Sequence, residues 1–99
     1  MRTRREIEIE ATPEEVWEAL ATEEGREEWL EDAPEREIHV EAADPPHRLV
    51  WWWWSDDQPA TRVELLVVAA PAGARVVVVE SEPSFPLATL AARFTLAYA

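Results

Sequence analysis

The chain contains no cysteine, no lysine and no asparagine, and only two glycines. Without cysteine there are no disulfides, no thiolate nucleophile and no thiolate metal ligand. Gly25 and Gly73 stand too far apart to build a phosphate-cradling loop. Two separated histidines, His39 and His47, give no recognisable ligand spacing, so no metal and no cofactor are expected. The acidic run EEGREEWLED lacks the ligand spacing and central glycine of a calcium loop and reads as a solvated helix face. No nucleophile, base and orienting acid stand out as a triad. The longest weakly polar stretch, LATLAARFTLAYA, carries Arg93 and falls well below the ~20 apolar residues of a membrane span. The start, MRTRREIEIE, turns charged at once and offers no apolar signal core, which makes the cytoplasm the expected compartment.

What is present is acid, arginine and tryptophan. Twenty-one Asp and Glu oppose nine basic residues, all of them Arg, for a formal net charge of −12. Such a surface repels phosphate backbones and anionic lipid, so neither nucleic acid nor membrane is an expected partner. With 99 residues, 47% of them hydrophobic and 30% charged, the chain suits one packed domain over 1–99. Ala and Arg richness without Lys or Asn points to a GC-rich bacterial genome.

Residues 4–11, RREIEIEA, alternate strictly and predict a strand with Ile7, Ile9 and Ala11 on one face. In ATPEEVWEAL, Thr12 caps, Pro13 suits the first helical position and Glu15 closes a capping box; Val16, Trp17, Ala19 and Leu20 form the apolar stripe. Thr22 restarts a second helix that presents Trp29 and Leu30 and stops by Pro34. REIHVEA alternates again, pointing Ile38, Val40 and Ala42 inward, and DPPHR makes a turn. Leu49 to Trp54 form a strand, SDDQPA a turn, and TRVELLVVA with ARVVVVES a long-armed hairpin about APAG. After EPSFP the period becomes helical through Leu87, Leu90, Ala91, Phe94 and Tyr98. The order is β-α-α-β-β-β-β-α, an α+β arrangement.

That order, with ATPEEVWEALATEEGREEWL, DPPHRLVWWW and TRVELLVVAAPAGARVVVVES, resembles the START-like (SRPBCC) superfamily, in the branch of activators of a heat-shock-protein ATPase. The resemblance spans about residues 4 to 86. It implies a compact helix-grip fold, in which a curved antiparallel sheet wraps the last helix around a cavity. The chain departs from the family pattern in having less strand before EREIHVEAADPP and a shorter last helix, which implies a smaller or more open cavity.

The run WWWW at 51–54 meets this plan directly. Alternation sends Trp51 and Trp53 to the side of Leu49, toward the core, and Trp52 and Trp54 to the opposite face with Val50. By the same alternation Leu66, Val68, Val77 and Val79 join Trp52 and Trp54 outside. Aromatic side chains bury ~150–250 Å² each, so this face predicts an apolar patch for assembly with a second copy, as a homodimer, or with another protein. Bulges or strong twist that tuck some of these residues under loops are the competing expectation.

The interior candidates for a hydrophobic small molecule are Trp17, Trp29, Trp51, Trp53, Glu80, Leu90 and Phe94. Glu80 shares the face of Val76 and Val78; it reads either as an inward acid that orients a ligand or as a strand-end acid in solvent or paired with an arginine. Three functions stay open. The first is a non-enzymatic hydrophobic-ligand domain that self-associates through its outer sheet face. The second is an interaction module or chaperone accessory with a filled core. The third, implied by the resemblance, is a polyketide cyclase or dehydratase, for which Glu80 alone could supply an acid or base.

Overall fold

The structure, a computed structural model, describes residues 2–30, 36–80 and 85–97. Its elements run β1 (Thr3–Ile9), α1 (Pro13–Ala21), α2 (Glu23–Trp29), β2 (Glu37–Asp44), β3 (Arg48–Ser55), β4 (Gln58–Ala70), β5 (Gly73–Glu80) and α3 (Leu87–Ala97), in the order the sequence predicts. Tyr98 and Pro34 lie outside the described residues.

Local chemistry accounts for the helix starts. The Thr12 hydroxyl accepts from the Glu15 amide at 3.1 Å and the Glu15 carboxylate accepts from the Thr12 amide at 3.1 Å, so two otherwise unpaired N–H groups are satisfied. Thr22 serves both helices. Its hydroxyl donates to the Glu18 carbonyl at 2.7 Å and accepts from the Gly25 amide at 2.9 Å. α1 and α2 therefore turn on one residue, and Gly25 sits where a Cβ would stand 2.2 Å from the Glu18 carbonyl oxygen.

The strands form one antiparallel sheet in the order β1-β5-β4-β3-β2. Gly73 opens β5 at φ +140°, a conformation in which a side chain is strained, and its hydrogen-only Cα lies against the Ile9 and Ala11 backbone. One face of the sheet carries the helices. Ile9, Val76, Val78, Val63, Leu65, Val67, Leu49, Trp51 and Trp53 meet Val16, Leu20, Trp29, Leu87, Leu90 and Phe94 there in one core. α1 lies on β4 and β5, while α3 lies against β1 and α2.

Two details differ from the sequence reading. A bulge between Val40 and Ala42 shifts the register, so Ala42, expected inward, stands opposite Val50 on the outer face, and Val40, also expected inward, is 42% exposed on the edge strand β2 although it pairs with Trp51. Residues 58–60, expected in a turn, begin β4. Pro59 is accommodated because the ladder is already irregular between Trp53 and Ser55, so the missing N–H falls at a break in the ladder.

Candidate functional site

Each indole of the WWWW run has its own surroundings. Trp51 and Trp53 are fully buried, and Trp52 and Trp54 are 37% and 38% exposed, so the alternation is as expected. Trp53 donates its indole N–H to the Thr61 hydroxyl at 3.1 Å. Trp52 donates to Glu41 at 3.0 Å. The Trp51 indole N–H is buried and meets no acceptor among the described residues. An unsatisfied buried donor costs about 1–3 kcal/mol, which marks Trp51 as the incomplete member of the set.

Trp51 and Trp53 come together with Trp29, from the end of α2, and with a residue the sequence reading did not select, Phe85. Phe85 lies between β5 and α3 and is 1% exposed. Its ring centroid is 5.7 Å from Trp29, 6.1 Å from Trp51 and 5.7 Å from Trp53, and the two β3 indoles are 5.5 Å apart. These are favourable separations for tilted and stacked aromatic pairs. Trp29 is anchored by its N–H to the Ala19 carbonyl at 2.8 Å. Two guanidinium groups stand over the cage: Arg26 5.7 Å from the Trp51 ring centroid and Arg36 4.0 Å from that of Trp53. Burial lowers the Arg26 pKa from its ordinary value, opposed by the charge of Glu23.

Glu80 points inward, as alternation requires, and its side chain is fully buried. It forms an ion pair with Arg5 of β1, and both of its oxygens accept from the Phe85 amide, at 3.3 and 3.1 Å. Arg5 also donates to the Phe85 carbonyl at 2.7 Å. Of the two sequence readings, the arginine-paired acid describes this geometry. The pair clamps the Phe85 backbone, and the signal in the sequence was Arg5 itself, a charge on the inward register of β1.

The remaining interior candidates are spread more widely. Leu90 is fully buried in the core and Trp17 packs half-buried against it. Phe94 is mostly buried and also lines a groove of about 360 Å³ between α1, α2 and α3, beside Glu15, Glu18, Glu28 and Arg93. That groove is acidic and lies apart from the aromatic cage.

The outer face is more polar than its apolar residues alone suggest. The bulge turns Glu41 outward, where it takes the Trp52 N–H and a two-armed contact from Arg62 at 2.9 and 3.3 Å. Those hydrogen bonds, Arg62 first and Trp52 second, hold the Glu41 pKa down at about 2. Arg48 pairs with Glu64 at 2.8 Å and Arg75 with Glu8 at 2.7 Å. Val68 is 40% exposed, Leu66 and Val79 are half-buried, and Val77 is covered at 5%, between Leu66 and Glu6 in the register. The expected patch is thus smaller than six open side chains, because charged stems and cross-strand neighbours cover its centre.

Among the described residues no three His, Asp or Glu side chains are placed to share a metal ion, and no helix is long and apolar enough to cross a membrane.

No protein-family model and no curated protein matches the sequence. Solved structures do. The Aha1 dimer from Colwellia psychrerythraea is 17% identical at a TM-score of 0.66, covering 99% of this chain and 92% of that one. CalU16 from Micromonospora echinospora is 18% identical at 0.69, covering 94% of this chain and 64% of that one. An uncharacterized protein from Rhizobium leguminosarum is 12% identical at 0.77, covering 97% and 95%. The chain has the helix-grip fold. The likeness is one of architecture, with the element order β-α-α-β-β-β-β-α, and the resemblance read from the sequence holds at that level.

Proposed function

We propose that this helix-grip domain is a non-enzymatic binding protein that takes an apolar small molecule at its aromatic cage and self-associates through the outer sheet face. The observation that carries the first half is the buried Trp51 N–H without an acceptor, set among Trp29, Trp53 and Phe85. Binding rests on apolar burial and ring stacking, with the indole N–H fixing orientation. Glu80 is engaged by Arg5 and Phe85, which argues against its service as a free acid or base.

The second half rests on charge and area. On the outer register stand Arg4, Arg48, Arg62 and Arg75 against Glu6, Glu8, Glu37, Glu41, Asp44 and Glu64, a balance of −2 in a chain of −12. Seven glutamates and one arginine occupy α1 and α2 on the other side. Two copies meeting sheet to sheet keep their acidic helices apart, and their identical twist lets the sheets align. Five strands at about 4.8 Å spacing and about 26 Å length offer roughly 600 Å² per copy, the lower end of a specific interface. The likeness to the Aha1 dimer from Colwellia psychrerythraea supports a dimeric reading at the level of fold.

A panel of apolar probes, from fatty acids to aromatic polyketides, tests the first half. Quenched or shifted tryptophan emission together with a raised melting temperature is the expected result. No response to any probe contradicts it and favours the interaction-module reading, in which Trp52 and Trp54 alone serve a partner.

A further inference from the structure

We propose that Phe85 is an internal stand-in for the ligand: a single aromatic ring bearing an oxygen acceptor enters the Trp29–Trp51–Trp53 cage by replacing the Phe85 ring. This inference rests on the small-molecule reading above and names its ligand class.

Phe85 alone among the four rings of the cage is supplied by neither a helix nor a strand. Its ring sits between three indoles, and its backbone is held by Arg5 and the Leu87 amide at the carbonyl and by Glu80 at the amide. Side-chain clamps of this kind open locally without disturbing a sheet ladder, because no strand pairing depends on Phe85.

Phe85 also completes the cage only in part. It fills the apolar space, but a phenyl ring has no lone pair to offer, and the Trp51 N–H stays without an acceptor among the described residues. A phenol or aryl carbonyl of the same shape provides the missing acceptor as well as the stacking surface. A guest that satisfies a buried donor gains over one that leaves it unpaired. Because the cage is free only while Phe85 is displaced, the apparent affinity of the native chain is reduced by the fraction of molecules in that state.

The test is titration of phenol and of toluene, a near-isostere without the oxygen, into the native chain and Phe85→Ala, read by nuclear magnetic resonance. Phe85→Leu serves as the milder variant if Phe85→Ala does not fold. Phenol is expected to bind Phe85→Ala, or Phe85→Leu to a lesser degree, at least tenfold more tightly than the native chain. In the native chain, the Phe85 ring protons, shifted by three neighbouring indoles, are expected to move toward free values as phenol is added. Phenol is expected to bind Phe85→Ala more tightly than toluene does. Equal phenol affinity for native and variant chains, or native binding with Phe85 signals unmoved, overturns the replacement while leaving small-molecule binding at another position standing. Preference for toluene overturns the role of the Trp51 N–H. Absence of binding to every form overturns the inference, and the probe panel above then decides the wider reading separately.

Discussion

Glu80 receives the Phe85 amide on both carboxylate oxygens, at 3.3 and 3.1 Å, while sharing Arg5 with the Phe85 carbonyl. The end of β5, the edge strand β1 and the approach to α3 are thereby tied at one point beside the aromatic cage.

The two halves of that tie are unequal. Arg5→Ala leaves a fully buried carboxylate without its counter-ion, whereas Glu80→Gln leaves a guanidinium that is 34% exposed and reaches water. Breaking a buried pair costs about 3–5 kcal/mol; with one partner a third exposed, about 3 kcal/mol is expected for Arg5→Ala and about 1 kcal/mol for Glu80→Gln. Urea unfolding of both variants checks the order. A larger loss for Glu80→Gln contradicts the assignment.

Glu41 provides a prediction in pH. Its pKa in the folded chain is about 2, below its ordinary value of 4.5, through hydrogen bonds from Arg62 and Trp52. The stabilisation from this bridge is therefore fully present above about 4.5 and is lost as pH falls toward 2. The Glu41 carboxyl followed by nuclear magnetic resonance is expected to titrate near 2, with the Trp52 indole N–H signal changing in the same range. Arg62→Gln should move that titration upward. A Glu41 that titrates near 4.5 in the native chain contradicts the bridge.

Gly25→Ala tests the joint between α1 and α2. The new Cβ meets the Glu18 carbonyl oxygen at 2.2 Å and the Ala19 Cα at 2.9 Å, both backbone atoms that move only with their helix. Overpacking of this kind costs about 1–3 kcal/mol, or a fall in melting temperature of roughly 10 °C for a chain of this size. Scanning calorimetry measures it; an unchanged melting temperature contradicts the close approach.

The outer face predicts an unusual salt response. If copies meet through their nearly balanced faces, the main opposing term is repulsion between the acidic helices, and salt screens it. Raising salt from about 0.1 M to about 1 M shortens the screening length from about 10 Å to about 3 Å. Sedimentation should show tighter association at the higher salt, and Trp52→Ser with Trp54→Ser should abolish it at both. Weaker association at high salt indicates an interface held by ion pairs instead.

Most of the fold is legible because its signals are local. Strict alternation in RREIEIEA, the turn residues of APAG between two apolar arms, the Thr12 to Glu15 box and the helical period after EPSFP each fix an element within a few residues of chain. The bulge at Glu41 is not legible in this way: the run EIHVEAAD keeps a tolerable alternation through Ala42, and only pairing with β3 reveals the extra residue. The site divides along the same line. Trp51 and Trp53 follow from β3 alone. Phe85 sits in the proline-flanked stretch EPSFP, to which the sequence reading assigns no element, and its importance arises from Arg5, 80 positions away, and from indoles on two other elements.

Native mass spectrometry of the purified protein tests the central claim most directly, since it reports assembly and retained small molecules together. The account predicts a dimer that carries added small-molecule mass. A bare monomer would contradict both halves: the cage would then be closed by Phe85 as ordinary core, and the outer tryptophans would need no partner.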